Sequence, residues 1–137
     1  MGKSISDVMT PNPRGVDTTS PITEAVRIMK TEDVGSVPIL EGDRLVGMLT
    51  DRDVAIRIVA EGKDPQATTV GEIASRDLVT VDPDQSLSEA ERLMAEHQLR
   101  RLPVVEEDGR LVGIVAQADV AEHDARHTGK LVQEISR

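Results

Sequence analysis

Four stretches of the chain are apolar almost without interruption: residues 37–40, 45–49, 102–105 and 111–115. Runs that do not alternate are expected of strands covered on both faces. Short polar turns separate the members of each pair, Glu41-Gly42-Asp43 in the first and Glu106-Glu107-Asp108-Gly109 in the second. Each pair therefore reads as a hairpin, and Asp-Gly favours a tight turn in the second. Pro38 and Pro103 carry no N–H, so each is expected at a strand's start or edge. Upstream of each hairpin a helical period takes over. Ile22, Ala25, Val26 and Met29 form one stripe, and Leu87, Ala90 and Met94 repeat most of it. Both methionines read as core packing. Ser20 is the expected N-cap with Pro21 at the first helical position, while Ser86-Leu87-Ser88-Glu89 has the full form of a capping box. Downstream, helices are expected over 51–60, stopped by Gly62, and over 117–127, stopped by Gly129. Thr69-Val70-Gly71-Glu72, a capping box echoed in Ser4-Ile5-Ser6-Asp7, opens a short helix ahead of each half. Extended pieces follow at 15–18 and 78–82.

The two halves are one motif written twice. Val16-Asp17 returns as Val81-Asp82, Glu24-Ala25 as Glu89-Ala90, and Pro38 as Pro103, at an offset of 65 residues. Gly109 adds one residue, after which Arg44-Leu45-Val46-Gly47 returns as Arg110-Leu111-Val112-Gly113, and Asp53-Val54-Ala55 as Asp119-Val120-Ala121. A single insertion in a turn leaves the register intact, as expected of an internal repeat. The predicted organisation is a first repeat over 4–62, a linker over 63–68, a second repeat over 69–128 and a C-terminal tail over 129–137. The fold class is α+β. A half of about 60 residues buries too little apolar surface to stand alone, so the two are expected to pack face to face through their sheets.

Composition narrows the function. Of 137 residues, 16 are Lys or Arg and 25 are Asp or Glu, a net charge of −9. That balance argues against a sequence-blind nucleic-acid binder, which needs cationic surface. No apolar run approaches the roughly 20 residues that span a bilayer, and no secretory segment follows Met1, so a cytoplasmic location is expected. Without cysteine, disulfides and thiol chemistry are excluded. Phe, Tyr and Trp are absent, so any bound base would rest on aliphatic side chains. No P-loop, no Gly-x-Ser-x-Gly elbow and no inward-facing carboxylate pair is evident, and an enzyme is not expected.

The quoted motifs resemble those of a tandem pair of cystathionine beta-synthase (CBS) domains, the Bateman module. The residues that carry the resemblance are Val37-Pro38-Ile39-Leu40 with residues 45–53, and Arg100-Arg101-Leu102-Pro103-Val104-Val105 with residues 111–119. It spans about residues 4–127, and the chain looks like the small stand-alone bacterial pairs, including the hypoxic-response type. The resemblance implies a regulatory or sensor module. It would bind an adenosine-bearing ligand (AMP, ADP, ATP or S-adenosylmethionine) in clefts between the repeats, with no required cofactor, as a homodimer read by an unknown downstream protein.

On that pattern, Thr50 would meet phosphate or ribose and Asp53 the ribose hydroxyls, the device by which dinucleotide folds grip a diol. The plain alternative is that Thr50 only caps the helix and Asp53 only favours its dipole. If local capping consumes both groups, the sensor reading falls. Arg100 and Arg101 would supply phosphate charge, unless they pair with the abundant surface carboxylates. Leu78 and Val79 would wall the base. A second, weaker cleft would draw on Asp119, Ser36 and Val37, with Ala116 where a hydroxyl is expected. His123 and His127, four apart on one helix, could bind zinc with His97 or Glu122; the alternative is that they are solvated surface residues. A ligand-free interaction or stress protein is the competing function.

Overall fold

The computed structural model describes residues 3–128, with side chains as far as Asp124. The expected tail at 129–137 lies outside them. In chain order the elements are α1 (Ile5–Val8), β1 (Thr10–Pro11), β2 (Val16–Asp17), α2 (Ile22–Glu32), β3 (Ser36–Glu41) and β4 (Arg44–Thr50). Then come α3 (Asp51–Val54), which runs into a π-helical turn at Ala55–Val59, α4 (Val70–Ile73), α5 (Leu87–His97), β5 (Arg101–Val105), β6 (Leu111–Ala116) and α6 (Gln117–Thr128).

The strands form two three-stranded sheets, ordered β2-β3-β4 and β1-β6-β5. The compact units do not coincide with the sequence repeats. One unit holds residues 13–78 and the hairpin tip 108–110; the other holds the chain up to Asn12, residues 79–107, and the chain from Leu111 on. The opening helices have changed places. Ile5 of α1 is fully buried with Val81, Leu87, Ala90, Met94, Leu102, Val104, Val115 and Val120, all from the second repeat. Val70 and Ile73 of α4 are buried among first-repeat residues, including Val16, Ile22, Val37, Ile39 and Leu49.

Glycines make this possible. A Cβ on Gly47 would sit 3.1 Å from the Ser75 carbonyl oxygen and 3.2 Å from the Ala74 Cβ. The Ser75 segment is fixed there by two bonds at 3.0 Å, its N–H to the Met48 oxygen and the Met48 N–H to its own oxygen. Gly113 does the same for the other opening segment: a Cβ there would meet Met9 Sδ and lie 3.0 Å from the Thr10 oxygen. Thr10 pairs with Ile114 in β1, a strand the sequence pattern did not reveal.

Several local expectations are corrected. Pro38 lies inside β3, the central strand, and not at a start or edge. Met48, opposite it, turns its backbone groups to Ser75, so the missing N–H costs the β3–β4 ladder no bond. Pro21, not Ser20, is the N-cap of α2, and linker carbonyls serve the helix end: the Ile22 N–H donates to the Thr68 oxygen at 2.9 Å and the Thr23 N–H to the Pro65 oxygen at 3.2 Å. Val26 is 37% exposed, and Ile28 takes its place in the buried stripe. Ser86 caps α5 by accepting the Glu89 N–H, but the reciprocal half of the box is absent among the described residues. The Glu89 carboxylate is instead held by Arg92 at 2.6 Å. The helix expected over 51–60 changes hydrogen-bond period at Ala55, with the Ala60 N–H on the Ala55 oxygen at 3.0 Å.

Candidate functional site

In the unit built on β3 and β4, the strand-to-helix junction gathers four of the expected residues. Thr50 ends β4 in extended conformation and is the N-cap of α3. Its Oγ1 accepts the Asp53 N–H at 3.0 Å, and Asp53 Oδ2 accepts the Thr50 N–H at 3.0 Å, a reciprocal capping box. Ser36 lies directly across the ladder from Thr50, and Val37 across from Leu49. The Asp51 N–H donates to the Gly35 oxygen at 2.9 Å. Two of the first three helix N–H groups, those of Asp51 and Asp53, are thus taken.

The capping alternative is realised, but it does not exhaust either side chain. A threonine hydroxyl offers one proton and two lone pairs, and a carboxylate offers about four acceptor positions. The box uses one lone pair of Thr50 and one oxygen of Asp53. Both side chains are half-buried.

The other unit repeats the geometry with different chemistry. Asp119 Oδ2 accepts the Ala116 N–H at 2.9 Å, the same half of the box, with no hydroxyl to return the bond. Arg101 lies across the ladder from Ala116, and the Gln117 N–H donates to the Arg100 oxygen at 2.7 Å. Arg100-Arg101 therefore occupies the place that Gly35-Ser36 has in the first unit. Arg100 is exposed and Arg101 half-buried. Neither side chain makes an ion pair or hydrogen bond among the described residues, so the expected alternative of surface pairing does not occur there. Leu78 and Val79 are both half-buried, and Val79 packs on the second core.

Asp119 also lines a cavity of about 200 Å³ with Asp7, Val8, Glu122 and His123. Asp7 reaches this cavity because α1 packs on second-repeat residues and not on its own repeat. The Ser4 N–H and hydroxyl hold the Asp7 carboxyl below its ordinary value, with a smaller contribution from His123. His97 is exposed at the end of α5, and the His127 side chain lies outside the described residues. Among the described residues no group of three His, Asp or Glu side chains is arranged to hold a metal ion. No helix of theirs is long and apolar enough to cross a membrane. Met29 and Met94 are buried, as expected of core residues. Glu91 and Asp124, both exposed, line another cavity, of about 310 Å³.

The CBS domain model matches the chain twice, at residues 5–60 and 70–126. A curated relative, the CBS domain-containing protein YhcV of Bacillus subtilis, is 48% identical over 118 residues, covering 86% of this chain and 83% of that protein. A crystal structure of Hypoxic Response Protein I with two coordinated zinc ions superposes with a TM-score of 0.81 at 43% identity, covering 88% of this chain and 98% of that one. CBSX2 in complex with AMP gives a TM-score of 0.81 at 26% identity, over 93% of this chain and 99% of that one.

Proposed function

We propose that this chain, which belongs to the CBS domain family as a tandem pair, is a non-enzymatic regulatory module that binds an adenosine-bearing nucleotide. Aliphatic side chains, Leu78 and Val79 among them, would receive the base. Asp53 would accept from the ribose hydroxyls, and Thr50, Arg100 and Arg101 would meet phosphate. Asp119, Ser36 and Val37 would serve a second, weaker site that lacks a threonine hydroxyl. Ligand binding would favour one conformation of the pair, and a partner protein would read that population shift.

The observation that carries the reading is the half-used box at Thr50 and Asp53. A carboxylate oriented by one backbone N–H, with its second oxygen uncommitted, is pre-positioned for a diol at no further ordering cost. Two arginines without carboxylate partners, in a chain of net charge −9, support an anionic ligand. The AMP complex of CBSX2 supports the choice of adenosine.

Isothermal titration with AMP, ATP and S-adenosylmethionine tests the proposal, and Zn²⁺ alone forms a separate arm because one neighbour holds zinc. Saturable heat from an adenosine ligand, weakened in Asp53→Asn, is the expected result. Silence from all three adenosine ligands would remove the reading, as would unchanged affinity in that variant. A second copy is the proposed structural partner, supported by the exposed apolar side chains of Val26, Ile56 and Val59 in one unit. Light scattering that shows only monomer at micromolar concentration would reject it.

A further inference from the structure

In the unit built on β3 and β4, the packed helices α2 and α3, with the π-helical turn, leave large apolar side chains in water. Val26 is 37%, Ile56 47% and Val59 72% exposed. At the matching positions of the second repeat stand Glu91 for Val26 and Glu122 for Ile56. One repeated motif thus carries two unlike outer faces.

Charge divides the same way. Lys30 follows Val26 by one turn of α2, and Arg27 and Arg52 are exposed on α2 and α3. None of these three cations makes an ion pair or hydrogen bond among the described residues. The acids of these elements are turned to other uses: Glu32 is held by Arg14 at 3.2 Å, Asp53 caps α3, and Asp51 lies against Gly35. Glu24, two residues from Val26, lies off its stripe. In the second repeat Ala95 replaces Lys30 and Ala118 replaces Arg52. Arg92, which matches Arg27, is engaged by Glu89 and Glu96 at 2.6 and 2.8 Å. The cavity of about 310 Å³ between α5 and α6 is lined by the small Ala95 and Ala121, with carboxyl groups from Glu91 and Asp124. Among the described residues no cationic side chain lines it.

We infer that copies of this chain join unlike faces, the Val26–Lys30 stripe of one copy seating in the α5–α6 cavity of the next. Residues four apart on a helix share one face. Laid antiparallel on α5, the stripe sets Val26 against Ala95 of the partner subunit and Lys30 against Glu91 of the partner subunit. Hydrocarbon meets hydrocarbon and cation meets anion. Like faces match worse: α2 on α2 sets Val26 against a second Lys30, and α5 on α5 sets Glu91 against a second Ala95. Each charge then loses water and gains no counter-charge. A contact between unlike faces, made twice about a two-fold axis, closes at two copies. The inference rests on the second copy proposed above and not on any nucleotide.

The chain has no cysteine, so an introduced thiol reports only on its own neighbour. Val26→Cys and Ala95→Cys chains, distinguished by tags of different size, are mixed and oxidised. They are expected to link to one another and not to themselves. Sedimentation equilibrium supplies an independent reading at two exposed positions, Lys30→Glu and Glu91→Lys. Each reversal sets like charges together and should weaken self-association about tenfold or more, and the two combined in one chain should restore it. Three results would overturn the inference and leave the second copy standing: self-linking of either unmixed thiol variant, no link in the mixture, or wild-type affinity in both reversals. A wild type that is monomeric throughout removes the second copy and the inference together.

Discussion

Replacing Ile5 with alanine should damage a sheet whose strands lie about a hundred residues away, and leave the strands of its own repeat intact. Ile5 has no exposed surface and belongs to the core of Leu102, Val104 and Val115. Its helix has four residues, too short to persist on local energetics, so it stays in place through packing and two bonds. Those bonds are the Ile5 N–H to the Gln85 oxygen at 2.8 Å and the Ser6 N–H to the Pro83 oxygen at 2.9 Å. Ile→Ala at a fully buried site costs about 2–5 kcal/mol, and a middle value of about 3 corresponds to roughly a hundredfold loss of protection at about 1.4 kcal/mol per decade. The assay is native-state amide exchange. Leu102, Val104 and Val115 should lose about two decades while Val37, Ile39 and Leu49 lose little. Ile73→Ala should give the mirror image, because Ile73 of α4 is buried with Val37, Ile39 and Leu49. If Ile5→Ala instead drained protection from β3 and β4 as much as from β5 and β6, the exchange of opening helices would be wrong.

Gly47→Ala should destabilise, since the Ser75 oxygen 3.1 Å from the new Cβ is tied to the Met48 N–H and cannot retreat without breaking that bond. Overpacking of about 1–3 kcal/mol, less about 0.4–1 gained by stiffening the unfolded chain, leaves a net cost near 1 kcal/mol, read as a fall of several degrees in Tm. Asp53→Asn retains an oxygen for the Thr50 N–H, so its Tm should match the wild type while nucleotide affinity falls. Asp53→Ala should lose both, with about 1 kcal/mol of stability going with the cap. Glu72 is held below its ordinary value by the Thr69 N–H and hydroxyl. A carboxyl depressed in the folded state stabilises above its unfolded value, and that contribution disappears as pH falls through the folded one. Glu72→Gln should therefore show a shallower loss of Tm on acidification than the wild type.

Local chemistry was legible in the chain and partner choice was not. The hairpins, α5 with its serine cap and the carboxylates at Asp7 and Glu72 follow from hydrogen bonds within four residues, so spacing alone reveals them. The crossing of α1 and α4 left no local trace, because the two repeats present matching sheets and either helix suits either pattern. Gly47 and Gly113 were the available signal. A glycine recurring inside an apolar strand marks a close backbone approach, and the approaching segment directly follows the other repeat's opening helix in both cases. Linker carbonyls at Pro65 and Thr68 likewise displaced the Ser20 cap, since a backbone oxygen held by tertiary structure competes with a side chain for the same N–H.

At Thr50 and Asp53 the difficulty is of another kind. Threonine followed three residues later by an acid is at once a capping box and a candidate grip on a sugar-phosphate, and both uses need the same atoms in the same orientation. The cap commits one Asp53 oxygen and one Thr50 lone pair, and by doing so it fixes where the remaining oxygen and the hydroxyl proton can point. Under the proposed function, capping and recognition are successive uses of one arrangement. In the second repeat Ala116 keeps the Asp119 half of the cap and lacks the hydroxyl. A ligand that depends on the hydroxyl must discriminate between the two junctions, and Thr50→Val would remove that difference while leaving Arg100 and Arg101 in place. Under the proposed function, that substitution should lower affinity at the stronger site and narrow its gap from the weaker one, read as two unequal isotherms drawing together. A gap between the isotherms that is unchanged in Thr50→Val would show that the hydroxyl serves the helix alone.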